Sequence, residues 1–201
     1  WKKLETDPSK AAKNILKFKE IQQAISLTKD LEEKEVKHPK IYMLKGIIKK
    51  ELEKNSKAKI IIFANYRNTI DEILNFIKKE PQIIPTKLIG QKSGLTQKEQ
   101  LLTIKQFEKG TYNTLICSSI GEEGIDISGA TTAIMYDQGF SSEIRNIQRK
   151  GRVGRLIAGN ITLLLTDKTR EMGYFWASKR KENTMQQTLK NIQKETQKTL
   201  V

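Results

Sequence analysis

Lys59-Ile60-Ile61-Ile62-Phe63-Ala64 runs straight into Asn65-Tyr66-Arg67-Asn68-Thr69. A short apolar run with no alternation is the pattern of a strand covered on both faces, the situation in a parallel sheet. The polar exit and the helical stretch Ile70–Lys79 complete a strand–loop–helix unit, and the unit repeats down the chain. Thr86–Ile89 reads as a second strand, Gly90-Gln91-Lys92-Ser93-Gly94 as its exit, and Thr96–Glu108 as a helix with Leu101, Leu102, Ile104 and Phe107 turned inward. Thr114–Cys117, Thr132–Tyr136 and Ile161–Leu165 supply three more strands, with a helix through Arg145 and Arg152 between the last two. Alternating strands and helices predict an α/β fold, a parallel, doubly wound sheet with helices on both faces. In such sheets ligands collect at the carboxyl ends of the strands. Asn65–Asn68, Gly90–Gly94, Ser118–Asp126 and Asp137–Ser142 would all line that edge.

Further helices flank this core. Pro39–Lys54 is amphipathic, with Ile41, Leu44, Ile47, Ile48 and Leu52 as its buried stripe. His38-Pro39 separates it from residues 9–36, one or two helices in which Ile15, Phe18, Ile21, Ile25 and Leu27 recur at helical spacing. The tail from Lys168 is helical and basic and contains Tyr174, Phe175 and Trp176.

The 201 residues suit one ordinary domain with an appendage, and 37% apolar residues suffice for a core. The formal charge is +14, and it lies in the flanks. Residues 1–59 carry 16 basic and 9 acidic groups, residues 60–167 carry 13 and 11, and residues 168–201 carry 8 and 3. A polyanionic partner, nucleic acid first, fits this distribution, as does a lysine-rich solvated surface. The single cysteine, Cys117, sits in an apolar run and excludes an internal disulfide or a multi-cysteine zinc site. His38 reads as a turn residue, so no metal site is expected. No apolar run approaches the roughly 20 residues of a membrane span, and no signal peptide is visible. The expected setting is intracellular and soluble, cytoplasmic in a prokaryote or nuclear in a eukaryote.

Two stretches carry chemistry. The first is Ser118-Ser119-Ile120-Gly121-Glu122-Glu123-Gly124-Ile125-Asp126-Ile127-Ser128, two hydroxyls followed by glycines around paired carboxylates. Glycine lets backbone N–H groups approach an anion, and a carboxylate can hold ribose hydroxyls; a surface loop with a type II turn reads equally from these residues. The second is Gln148-Arg149-Lys150-Gly151-Arg152-Val153-Gly154-Arg155. The chain has seven arginines against thirty lysines, and four of the seven fall between Arg145 and Arg155. Arginine therefore marks places where a planar, permanently charged fork is needed. On a helix, Gln148, Arg152 and Arg155 share one face, suited to a phosphate.

Together these stretches resemble the second RecA-like domain of superfamily 2 helicases. Ser118–Ile127 is similar to motif V of that family, Ile61–Thr69 to motif IV, and Gln148–Arg155 to motif VI, Q-R-x-G-R-x-G-R, at every fixed position. Phe63–Arg67, Gly94–Gln100, Ile120–Asp126 and Ser142–Arg149 look like the branch that holds archaeal Hef and Fanconi anaemia group M protein. The resemblance covers about residues 38–185, a helicase C-terminal RecA-like domain. It makes residues 1–37 the end of a helical insertion or linker and residues 186–201 a basic helical tail.

The resemblance also implies roles. Arg152 and Arg155 match arginine fingers that reach the γ-phosphate of ATP, and Gln148 matches the residue that senses it. Gly124 and Asp126 match positions near the phosphate and the ribose. Ser118 matches a hydroxyl that touches the nucleic-acid backbone, and Arg67 lies where motif IV residues do likewise. Asn65, Gly90 and Gln91, on the same edge, join them as nucleic-acid-binding candidates. Glu123 stands where DEAD-box RNA helicases carry arginine, which favours a DNA-directed branch.

The sequence holds neither a G-x-x-x-x-G-K-[ST] loop nor an Asp-Glu pair after a strand. ATP with Mg2+ is therefore expected to be held mainly by a preceding RecA-like domain of the same polypeptide, and the start at Trp rather than Met agrees with such a domain having been removed. The chain alone is expected not to hydrolyse ATP. The implied function is the C-terminal motor half of an ATP-dependent DNA helicase or translocase, a DNA-repair enzyme acting on forked or branched DNA. A nuclease domain beyond Val201 is a further possible partner. The alternatives are a non-catalytic nucleic-acid-binding module and half of an RNA-directed superfamily 2 helicase.

Overall fold

The computed structural model of the chain describes residues 2–90, 96–118, 129–137 and 160–199; the side chains at 182, 186 and 189–199 are not among those described. Its contacts divide it into two units, Trp1–Pro39 and Lys40–Val201.

The first unit contains α1 (Lys2–Thr6), α2 (Lys10–Ile15) and α3 (Lys19–Glu33). Ser9 caps α2, its Oγ accepting the Ala12 N–H at 3.2 Å. Two ion pairs, Lys2–Glu32 at 2.5 Å and Lys29–Glu5 at 3.0 Å, tie α1 to α3. Both are exposed, so each contributes at most about 1 kcal/mol. The apolar spacing at 9–36 does not yield a buried stripe. Ile15, Phe18 and Leu27 are all exposed. The chain turns at Leu16–Phe18 between two helices, which breaks the single face that the spacing would have made.

The second unit is the sheet domain. Helix α4 (Pro39–Lys54) opens it with proline at its first position, where the missing N–H costs nothing. Strand β1 (Ile60–Phe63) follows, then α5 (Arg67–Ile77), β2 (Pro85–Leu88), α6 (Gln97–Glu108), β3 (Thr114–Cys117), β4 (Thr132–Met135), β5 (Asn160–Leu163) and the long α7 (Arg170–Thr199). The sheet order is β2-β3-β1-β4-β5, and every pairing is parallel.

Burial explains the unbroken apolar reading of β1. Ile60 and Ile62 face a core built with Ile41, Leu44 and Ile48 of α4 and Ile70, Ile73 and Ile77 of α5. Ile61 and Phe63 face the opposite core, with Ile104 and Phe107 of α6 and Leu115, Cys117 and Met135. Side chains alternate along a strand, so covering both faces demands apolar residues at every position. Each fully buried side chain is worth about 1.5–3 kcal/mol.

Helix α6 turns Ile104 and Phe107 inward as expected, but Leu101 and Leu102 are exposed and Gln100 is buried in their place. Spacings of four and three put 100, 104 and 107 on one stripe. A glutamine fits there because its Nε2 donates to the Ile89 carbonyl at 2.9 Å. The helix starts on a capping box, with Thr96 Oγ1 accepting the Glu99 N–H and Glu99 Oε2 accepting the Thr96 N–H at 2.7 Å.

Candidate nucleic-acid interface

At the carboxyl ends of the strands the ladders continue one residue further. Ala64 N–H donates to the Cys117 carbonyl at 3.0 Å, Tyr136 N–H to Phe63 at 2.9 Å, and Ser118 N–H to Leu88 at 3.1 Å. Beyond this row the chains separate. Strand β1 connects toward β2 on one side and β4 toward β5 on the other, so the neighbouring ends of β1 and β4 form the switch point of the sheet. One contact bridges it. The Asn65 N–H donates to both carboxylate oxygens of Asp137, at 2.9 and 3.0 Å.

Four of the sequence-predicted residues lie on this edge. Asn65 is half-buried directly after β1, and Arg67 is the exposed first residue of α5. The N-cap of that helix, Tyr66, makes no side-chain cap, so the first amides of α5 carry no side-chain acceptor from it. Gly90 is buried just beyond β2, where Gln100 anchors the preceding residue. Ser118 follows β3; its Oγ is buried and has no hydrogen-bond partner among the described residues. A buried hydroxyl without a partner costs about 1–3 kcal/mol. The other predicted site residues, Gln91, Gly124, Asp126, Gln148, Arg152 and Arg155, lie outside the described residues. Among those described, no cluster of histidine, cysteine, aspartate or glutamate could hold a metal, and no helix is long and apolar enough to cross a membrane.

A second cluster supports this edge and was not foreseen. Lys40, in the first turn of α4, donates to both oxygens of Glu171 at 2.6 Å and to the Tyr136 carbonyl at 3.0 Å. Its ammonium lies 5.4 Å from the centre of the Tyr136 ring. The Lys40 side chain is 8% exposed and that of Glu171 20%. Glu171 Oε2 also accepts the Thr166 N–H at 2.8 Å. Burial pushes the Glu171 carboxyl up, but the bonds from Lys40 and the Thr166 amide outweigh it and hold the group below its ordinary value. The Tyr136 hydroxyl is pushed up to about 12, by burial first and then by the carboxylates of Glu72, Asp137 and Glu171. The cluster thus joins the starts of α4 and α7 to the end of β4, one residue before Asp137. No local signal marks it, because its charges come from positions 131 residues apart.

The model of the helicase conserved C-terminal domain matches residues 40–157, more than half of the chain. The chain belongs to that family. It is a second RecA-like domain of the superfamily 2 helicases, on the side of Hef and the mph1 proteins. The helicase domain of Pyrococcus furiosus Hef superposes with a TM-score of 0.68 at 36% identity, over 88% of this chain and 36% of that one. A Methanocaldococcus jannaschii protein provisionally named an ATP-dependent RNA helicase is 36% identical over 94% of this chain and 24% of its own. The ATP-dependent DNA helicase mph1 of Aspergillus oryzae is 37% identical over 74% of this chain and 15% of its own. The chain therefore spans about a quarter or less of these two relatives. The C-terminal domain of the DEAD-box protein Dbp5, at 23% identity and a TM-score of 0.59, shares the fold.

Proposed function

We propose that the chain is the C-terminal motor half of an ATP-dependent DNA helicase or translocase that works on forked or branched DNA. The observation that carries the reading is the arrangement of the carboxyl edge. Asn65, Arg67, Gly90 and Ser118 come from three separate strand exits and lie along one border of the sheet. They offer groups a nucleic-acid backbone can use: an exposed cation at the start of a helix, a glycine at a strand exit and a hydroxyl without a partner among the described residues. None of these groups reads a base, so binding would be sequence-independent and weakened by salt. The DNA assignment draws on the name of the mph1 relatives and on Glu123.

ATP with Mg2+ enters the proposal through the sequence. A first RecA-like domain of the same polypeptide would hold most of it, with Gly124 and Asp126 near the nucleotide and Gln148, Arg152 and Arg155 directed at its terminal phosphate. Arginine fingers contribute about 10³–10⁵ in rate by stabilising charge that grows in the transition state. In the complete enzyme, Arg152→Ala should remove most DNA-stimulated ATP turnover and leave DNA binding in place. Unchanged turnover refutes the finger assignment. The name of the Methanocaldococcus relative favours a second reading, an RNA-directed motor. Stronger stimulation by duplex RNA than by forked DNA would decide for it.

A further inference from the structure

The first turns of α7 carry Tyr174-Phe175-Trp176 and then Lys179-Arg180-Lys181. Trp176 is 51% exposed, an unusual state for the largest apolar side chain. The Phe175 ring meets it at 70° with centroids 5.2 Å apart, which fixes the indole while half its surface stays open. Lys179 Nζ lies 5.7 Å from the indole centre. Exposed Arg180 is one turn beyond Trp176, on the same side of the helix.

Gly173 lies one turn before Trp176 on that side. A glycine inside a helix costs about 1 kcal/mol relative to alanine. Nothing among the described residues requires it, since a Cβ there would meet no atom within 4 Å. Its φ is not in the left-handed region either. The packing of the described residues does not explain this glycine, and its bare backbone leaves open space one turn from the indole.

We infer that Gly173, Trp176, Lys179 and Arg180 form a stacking site for an unpaired nucleobase, with the two cations meeting the flanking phosphates. The occupant is single-stranded nucleic acid, because the surroundings are basic. Residues 168–201 hold eight basic groups against three acidic ones, and one of those three, Glu171, is engaged by Lys40. An exposed aromatic amid cations is the usual platform for bases without sequence preference. The same ion pair locates the site. Trp176 comes five residues after Glu171, about 7.5 Å along the helix axis and about 140° around it, on the side turned away from the Lys40 pair. The inference rests on the nucleic-acid reading above and adds a contact outside the strand exits.

The test uses this chain and a fluorescein-labelled oligothymidine of about 16 nucleotides, long enough for an aromatic platform with a basic groove. Anisotropy titrations at several salt concentrations compare the wild type with Trp176→Ala, Trp176→Phe and Lys179→Gln/Arg180→Gln, with thermal melting as the check on folding. Stacking predicts that Trp176→Ala weakens binding roughly tenfold or more and that Trp176→Phe keeps most of the affinity. The double cation variant should flatten the dependence of log affinity on log salt by about 1.4. A Trp176→Ala chain that binds like the wild type overturns the stacking site and leaves the nucleic-acid reading intact. A wild-type chain that binds no nucleic acid overturns both. A Trp176→Ala variant that alters self-association and not oligothymidine binding makes this face a protein contact, which also overturns it.

Discussion

Replacing Lys40 by methionine keeps an unbranched apolar stem one atom shorter and removes the charge. The lysine is 8% exposed and makes three bonds, two to Glu171 at 2.6 Å and one to the Tyr136 carbonyl at 3.0 Å. A hydrogen bond to a charged group is worth about 1.5–3 kcal/mol, and stranding one member of a buried pair costs about 3–5 kcal/mol. Glu171 keeps the Thr166 N–H and is one-fifth exposed, which reduces the second cost. We therefore expect Lys40→Met to destabilise the domain by about 3 kcal/mol. Glu171→Gln, which retains an acceptor for Thr166 but leaves Lys40 without its carboxylate, should cost about 2 kcal/mol by the same reasoning. The double variant should lose less than the sum, with a coupling of about 1–2 kcal/mol. Urea unfolding at neutral pH with linear extrapolation measures all three.

Acid supplies an independent check. The Glu171 carboxyl is held below its ordinary value of 4.5 in the folded chain. The folded form therefore prefers the carboxylate, and its contribution is complete above the unfolded value. It is lost as pH falls below 4.5 and through the folded value. Glu171→Gln should flatten that part of the stability profile. A Lys40→Met cost below about 0.5 kcal/mol, the range of an exposed pair, would refute the view that this cluster holds the end of β4.

Gln100→Ala should cost about 2–3 kcal/mol in the same unfolding assay, because it strands the buried Ile89 carbonyl and leaves a small cavity. Gln100→Glu should cost no less, since a carboxylate cannot donate to a carbonyl; a neutral result for either variant removes the anchor. Ser118→Ala should leave stability unchanged or raise it by up to about 1 kcal/mol, since the deleted hydroxyl has no partner among the described residues. The same variant should weaken oligonucleotide binding measured by anisotropy, and a loss of stability with unchanged binding would make the hydroxyl structural.

Much of the fold was legible along the chain. Ile60–Phe63 announced a doubly covered strand because burial on both faces leaves no polar position, and the polar exits at Asn65 and Ser118 fell at strand ends because a buried ladder must stop where the backbone meets solvent. The motifs that assign the family, Gln148–Arg155 above all, are local runs that need no fold to be read. Tertiary structure decided the rest. Helix α6 could turn either Leu101 and Leu102 or Gln100 inward, and the outcome depended on an Ile89 carbonyl that needed a donor. The Asn65 amide found its acceptor at Asp137, 72 residues away. Lys40 found Glu171 across 131. Such partners are set by strand order and crossovers, and local patterning carries no signal for a bond between charges that meet only when the sheet is assembled.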